Sequence, residues 1–583
     1  MTMNNYVYLW VDKYRFIDTI NGEDEYLFTN FGISLSSKYQ VVLENNANGS
    51  LSFDVKDSES KILHGSASEN SFYSDCISDL KIIVGKNGAG KSSIVDFLRD
   101  VISGNMDGEN IRFCLLYIDE SNSLRYLKKN VTIESIVYND IEVDLENAFV
   151  DRLSKRVIFY TATFNDEWHL SYPEGFTENV SNLGTRFLLQ QDVENYNNNP
   201  EFYAIHDYFK CHSIMDSKRQ INFVGNFIEE EELSRDFFEF PNKVIFWFSN
   251  GLIKNGLHSL MELFDLTGED CKKNERKWFD FYKSINNLKL KIRFALIMAH
   301  FLKYKNNPLV NEETAIGIDL VPNEKNLDVI CSQIKDYVNF LYREEFEEVF
   351  YLLLRNHQKI HLGDLYFEFE VAQEKNLIKS LLQALEDYGS LTLIMEYRWN
   401  RPMSSGESCY LRLFSRLYDE ILELKKFDKI EDNKIHAPIL IDEVDLYLHP
   451  DWQCKWFYRF IKGLEIMQAK TGVELKLQLI MTTHSPFMLA DFISDNIVRI
   501  ARDHGHTFNK SERSDSDNFM VGNIYDILKD GFFLDGTMGL FIEKKLKKIL
   551  AHPSTLSNQD KFVIDHIGDA LIRSLILNKV RGA

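Results

Sequence analysis

Residues 85–92 read Gly-Lys-Asn-Gly-Ala-Gly-Lys-Ser, three glycines followed by a cation and a hydroxyl. In such a loop the backbone amides of Gly85, Lys86, Asn87, Gly88, Ala89 and Gly90 can turn toward phosphate oxygens. Lys91 can reach β and γ phosphates, Ser92 can ligate magnesium, and Ser93 carries the chain into a helix whose positive dipole end faces the same pocket. Far along the chain, the run PILIDEVD places Asp442 and Glu443 at the end of an apolar strand. Carboxylates there stand beside bound phosphates: Asp442 is predicted to hold magnesium through water, and Glu443 to take the proton of an attacking water. His484 follows KLQLIMTT and precedes Ser485-Pro486, which puts it at the same edge, suited to a γ-phosphate contact. A third stretch, Met403-Ser404-Ser405-Gly406-Glu407, opens a helix with small hydroxyl residues. It suits either phosphate binding or an ordinary N-cap with a first-turn acid.

The elements that must position these groups follow from pattern. Residues 80–84 form an apolar strand before the loop and 93–102 an amphipathic helix after it. Between residues 6 and 146, short alternating runs such as YVYLWV, SLSFDV, IRFCLLYID and VTIESIV predict an antiparallel β layer around that unit, with turns at 48–49 and 119–123. RVIFYTATF, 156–164, is a further buried strand. Residues 166–390 are predicted to be a mainly helical insert, with one apolar face at Phe281, Ile285, Leu288, Ile292, Ala295, Ala299 and Leu302. The acidic run 229–232 is a solvated face, a strand pair is possible at 360–371, and no heptad pattern persists. Residues 391–399 return to strand, and the helix opened at Ser404 ends near 427. The tail is predicted as a strand at 496–501, a polar turn at 503–518 and helices at 523–529, 537–550 and 562–580. The last, amphipathic one can seal a lobe or pair with a partner. The chain thus divides into 1–165, 166–390 and 391–583, an α/β head in two parts around an insert.

With 583 residues the chain exceeds one core. Its 66 basic against 88 acidic residues, net −22, argue against a globally basic DNA-coating surface, so any nucleic-acid contact must be local. Seven cysteines without a C-x-x-C pair suggest neither a zinc clasp nor a disulfide frame. No signal peptide or membrane-length apolar run is present, so a cytoplasmic protein without a membrane partner is expected.

Taken together, GKNGAGKSS, MSSGE, LIDEVDLYLHP and TTHSP resemble an ABC-type P-loop ATPase, the last two those of its SMC, RecF and OLD-like branch. The resemblance implies ATP and Mg2+ as cofactors. Residues 85–92 would be the Walker A loop, 404–407 the signature, Asp442 and Glu443 the Walker B pair, Asp445 the D-loop acid and His484 the switch histidine. Ser405 stands where many transporters have glycine, and the Q-loop glutamine is missing from 160–165, leaving Asn165 or Thr163 in its place. The β-rich start, the insert and NIYDILKDGFF resemble the PtuA-like ATPases of Septu and retron anti-phage systems. That implies assembly with itself around ATP, a separate HNH nuclease as partner, and DNA or a reverse transcriptase element as further partners. The strand-borne glutamate and Asp-x-Asp of a Toprim nuclease are not found. A RecF-like repair ATPase that binds DNA directly is the alternative.

Overall fold

The loop strand, Ile77–Gly85, is buried along its whole length, as a central strand covered on both faces must be. In the computed structural model it lies in a seven-stranded sheet ordered Val180–Asn182, Val157–Thr161, Lys434–Asp442, Glu474–Thr483, Ile77–Gly85, Ile497–Asp503, His506–Asn509. Every neighbouring pair is parallel except the last. The pairings Thr161↔Asp442, Ile441↔Met481 and Thr483↔Val84 bring the carboxyl ends of four strands to one edge. The strand of His484 therefore separates the loop strand from that of Asp442.

The structure describes residues 5–20, 23–64, 71–104, 111–119, 121–151, 153, 156–163, 179–197, 208–228, 239–263, 266–304, 321–323, 325–326, 360–361, 365–387, 395–426, 433–503, 506–510, 519–520, 522–532, 540–553, 555–567 and 569–581. The acidic run 229–232, Phe164, Asn165 and residues 511–518 of the expected polar turn lie outside them.

After the loop, helix Lys91–Ser103 presents Ile94, Phe97, Leu98, Val101 and Ile102 inward and ends at Gly104, whose φ of 84° is the left-handed stop glycine adopts readily. These side chains pack between Ile83, Leu440, Ile480 and Val498 of the main sheet and Tyr6, Leu9, Val11, Phe113 and Leu115 of a second sheet. That second sheet runs Phe149–Val150, Leu124–Lys129, Arg112–Ile118, Asn5–Asp12, Phe31–Ser34. Its other face, with Val7, Tyr8, Trp10 and Leu116, covers Phe53, Val55 and Ile136 of a four-stranded sheet. A register shift between Tyr6 and Tyr8 explains why Tyr6, against strict alternation, joins Leu9 and Val11 on the helix side. The β layer and the loop helix are thus one packed unit, the layer antiparallel as expected except where Phe149–Val150 pairs with Leu124–Lys129 and Ile133–Tyr138 with Leu51–Asp57, both parallel. The expected turns are present: Gly49 has φ +80°, and the Asp119 carboxylate accepts from the amides of Ser121 and Ser123 at 2.9 and 3.0 Å.

Residues 166–390 differ from the helical reading in two ways. Val180–Asn182 extends the main sheet, too short a strand to leave a periodic signal. The strand pair expected at 360–371 is present as Ile360–His361 and Tyr366–Glu370, but the unexpected strand Lys243–Phe248 joins it to Met395–Trp399 in a four-stranded antiparallel sheet, so the stretch is mixed. The apolar face around 281–302 belongs to two helices, Gly268–Ser284 and Leu288–Tyr304, and Ile285 sits buried in the break between them.

Residues Gly522–Ala583 form a separate compact unit with a core of Leu546, Ile549, Ile564 and Ile576. The helix expected at 562–580 is two, Asn558–Asp565 and Ala570–Arg581. Asp569 breaks it: its carboxylate caps the amides of Leu571 and Ile572, each at 2.9 Å, and so starts a new helix.

Candidate functional site

The loop owes its path to close approaches that only glycine permits. A Cβ on Gly85 would meet the Ile500 carbonyl oxygen at 2.1 Å, and one on Gly90, which has φ +94°, would meet Phe28 at 2.8 Å. Lys86, Asn87 and Gly88 are exposed at the rim, while Ala89 is buried. Lys91 folds back beneath the loop. Its ammonium donates to the carbonyls of Gly85 and Lys86 at 2.9 and 3.1 Å and lies 3.5 Å from His484 Nδ1. Burial pulls its pKa down to about 8, although Asp442, Glu443 and Asp445 act to raise it.

The acids stand on the same edge, at the end of the strand beyond that of His484. Asp442 is buried, accepts from Thr482 Oγ1 at 2.6 Å and is hydrogen-bonded to the Ser92 hydroxyl. Burial nevertheless raises its pKa, with Asp96 adding to the shift, while Thr482, Ser92 and Lys91 oppose it. A buried carboxylate beside a hydroxyl, short of positive charge, fits a divalent cation of the Mg2+ kind. Glu443 takes a left-handed backbone, φ 54°, pinned by its amide to Thr482 Oγ1 at 2.8 Å. It is half-buried, and burial followed by Asp442 and Asp445 raises its pKa, moving it toward the range of a general base. Asp445 accepts from Thr483 Oγ1 at 2.6 Å and from the His484 amide at 3.0 Å, which fixes the turn carrying the histidine. Burial, then Lys91, lowers the His484 pKa against Asp445, so the ring is neutral at pH 7.

The structure thus brings together Lys91, Ser92, Asp442, Glu443, Asp445 and His484. Ser404–Glu407 make different contacts. Ser404 and Glu407 form a capping box: the Ser404 amide donates to Glu407 Oε2 at 2.7 Å and the Glu407 amide to Ser404 Oγ at 3.2 Å. Burial works against the Glu407 charge, but Arg401, at 2.9 Å, and the Ser404 bonds hold its pKa low. Gly406 packs inward, where a Cβ would meet the Tyr447 carbonyl oxygen at 3.2 Å, while Ser404 and Ser405 are exposed. Both readings of this stretch therefore retain a basis: it is an N-cap, and it presents two hydroxyls at a helix start. Thr163 bonds to Thr161 at 2.7 Å at the end of the strand paired with that of Asp442.

Several supporting residues have no motif to announce them. Thr482 links Asp442 to Glu443, and Gln453 Oε1 accepts from Ser485 at 2.7 Å. The polar turn expected at 503–518 is in part a β-hairpin: Asp503 pairs with His506, Thr507 Oγ1 donates to the Ala89 carbonyl at 2.9 Å, and Arg502 reaches the Gly88 carbonyl at 3.5 Å. Its first strand extends the main sheet, which carries the hairpin onto the loop. The strand expected at 496–501 is the hairpin's first strand, Ile497–Asp503; the second, His506–Asn509, lies inside the run expected to be a polar turn.

A family model described as an AAA ATPase domain matches residues 71–489, which hold the loop, the acids and the histidine. The chain belongs to this ATPase family. Among curated relatives of this ATPase, the "Retron Vc95 probable ATPase" of Vibrio cholerae serotype O1 biovar El Tor is 23% identical over 420 residues, covering 71% of this chain and 68% of that protein. The "Septu protein PtuA" of Bacillus thuringiensis is 30% identical over 146 residues, 24% of this chain and 34% of the relative. Among solved structures, the Smc head domain of Pyrococcus furiosus bound to the C-terminal domain of ScpA is 10% identical, with TM-score 0.23 over 87% of this chain and 96% of that one. The recombination mediator RecF gives 11% and 0.21 over 87% and 98%. Among the described residues no helix is long and apolar enough to cross a membrane.

Proposed function

We propose that this ATPase binds and hydrolyses ATP as the regulatory subunit of an anti-phage defence complex, assembles with itself around ATP, and controls a separate nuclease of HNH type. The observation that supports this most is the meeting of Lys91, Ser92, Asp442, Glu443 and His484 at one sheet edge. The names of the retron and Septu relatives supply the setting.

In this reading the amides of residues 85–90 and the Lys91 ammonium hold the β and γ phosphates. Ser92 and Asp442 would hold Mg2+, which when bound neutralises charge on the phosphate oxygens. Glu443, with its raised pKa, takes the proton of the attacking water; His484, neutral, offers a hydrogen bond without adding repulsion to Lys91. Asp445 keeps His484 in place. The exposed hydroxyls of Ser404 and Ser405 serve nucleotide held by another copy. Asp442 and Glu443 are committed to ATP in this reading, and phosphodiester cleavage is left to the separate nuclease.

The test is homogeneous protein with plasmid and single-stranded DNA in magnesium or manganese. ATP turnover that Glu443→Gln abolishes, with no DNA cleavage until a nuclease subunit is added, is expected. Cleavage that co-elutes with the chain alone and survives Asp442→Ala would contradict the division of labour.

A further inference from the structure

Two consecutive helices of the insert, Asn250–Leu263 and Gly268–Ser284, face each other with an i, i+4 pair on each: His258 and Glu262 on the first, Cys271 and Glu275 on the second. Spacing of four puts both members of a pair on one helix face. Here the two faces meet. Cys271 Sγ lies 3.5 Å from His258 Nδ1, and His258 Nδ1 lies 3.5 Å from Glu275 Oε2; all three donor atoms fall within 4.8 Å of one another. The cysteine is buried, Glu275 half-buried and His258 partly open to solvent. The other ring nitrogen, Nε2, is 3.4 Å from Glu262 Oε1.

From these distances we infer that His258 Nδ1, Cys271 Sγ and Glu275 form a zinc site, with Glu262 orienting the histidine through Nε2. Zinc bonds of roughly 2.3 Å to sulfur and 2.0–2.2 Å to nitrogen and oxygen, held at tetrahedral angles, give ligand-to-ligand edges of roughly 3.3–3.6 Å. The two edges measured to Nδ1 match that range before any ion enters. Mixed nitrogen, thiolate and carboxylate donors suit borderline-soft Zn2+ better than the all-oxygen preference of Mg2+ or Ca2+. On binding, Cys271 releases its thiol proton to solvent. A thiolate and a carboxylate then balance the dication, so the half-buried site is neutral. The carboxylate of Glu262 accepting from Nε2–H is the second-shell arrangement that fixes the ring and its tautomer at zinc centres. Three protein ligands leave a fourth position for water on the exposed side. The ion would clip the helix pair together within the insert.

The full-length protein, stripped with chelator, is titrated with Zn2+ alone and separately with Co2+. Wild type is expected to take up zinc in a 1:1 ratio at this site, and Co2+ to give a thiolate-to-metal charge-transfer band. Cobalt at Ser92 and Asp442 has only oxygen donors and gives none. Cys271→Ser should abolish the band, and Cys271→Ser and His258→Ala should each weaken zinc binding by at least about 100-fold; Glu262→Gln should weaken it about 10-fold and keep the band. If Cys271→Ser fails to fold, the more exposed Glu275→Gln serves: weaker zinc, band retained. No thiolate band in wild type, or a band and zinc affinity unchanged in Cys271→Ser or Glu275→Gln, would overturn the site.

Discussion

Lys91 and Glu443 share one edge of the sheet but fail differently when changed. Lys91→Ala removes the cation beneath the loop and should weaken ATP binding by at least about 10-fold, read by calorimetry, whereas Glu443→Gln should bind ATP as wild type does and lose turnover. Equal affinity in wild type and Lys91→Ala would remove the anchor. Lys81 offers an independent electrostatic check two strand positions from the helix-facing Ile83. Its ammonium is buried against the Asp495 carbonyl, and burial lowers its pKa from 10.5 to about 8 although Asp79 and Asp495 oppose the shift. Below about pH 8 the folded protein carries this charge at a cost; above it the folded state loses the proton while the unfolded chain keeps it to about 10.5. Wild type should therefore gain stability relative to Lys81→Met between those values, by up to roughly 2–3 kcal/mol in comparative denaturation. A difference that is flat with pH contradicts a charged, buried Lys81. The motif residues were legible because glycine, lysine, serine and acids at fixed spacing carry their own geometry. Thr482, Arg502 and Thr507 were not, because their roles arise only when distant strands come into register.

Helix Ser405–Lys426, which opens at the capping box of Ser404 and Glu407, is tied to the insert through charge buried along its length. Arg416, almost fully buried, donates to Asp216 Oδ1 at 2.8 Å, to the Leu183 carbonyl at 2.9 Å and to Thr185 Oγ1 at 3.0 Å. Nearby, Arg219 grips Asp192 with bonds of 2.7 and 3.1 Å, and His212 meets the same carboxylate at 2.8 Å. Burial opposes the Asp216 charge, yet Arg416, His212 and Arg219 hold its pKa low. Arg416→Met removes that carboxylate's shortest ion pair, leaving it Gln220 at 3.2 Å, Arg412 at 3.8 Å and Arg219 at 4.0 Å, and should cost about 3 kcal/mol, with Arg416→Met/Asp216→Leu recovering part of it. The sign with pH follows: the pair stabilises above the ordinary carboxylate range and its contribution fades as acid protonates Asp216 in the fold, so wild type and Arg416→Met should converge at low pH. A single variant as stable as wild type at neutral pH would contradict the network. Strands and helices of the head were readable where a run was long and wholly apolar. The three-residue strand at 180 and the helix restart at Asp569 were harder, being too short for periodicity or decided by one cap. A His-Cys-Glu cluster, unlike a C-x-x-C pair, leaves no sequence spacing to read and shows itself only when two helices pack.

At the scale of the molecule, the edge that gathers Lys91, Ser92, Asp442, Glu443 and His484 leaves Ser404 and Ser405 exposed at a helix start of their own. In the proposed assembly that exposed cap is the half-site for nucleotide held by another copy. The variants need choosing with the structure in view: Gly406 packs against Tyr447, so a side chain there disturbs the fold, whereas Ser405→Asp adds a repelling charge on an open surface. Lys91→Ala alone should lack nucleotide anchoring, and Ser405→Asp alone should lack a usable partner face. Mixed in equal amounts, a twofold assembly pairs randomly, and half the dimers carry one intact composite site, so about a quarter of wild-type ATP turnover should return. ATP turnover in that mixture, with each variant folded and assembling, is the decisive measurement. Recovery toward about a quarter supports a site completed between copies; turnover no higher than the mean of the two separate variants contradicts it.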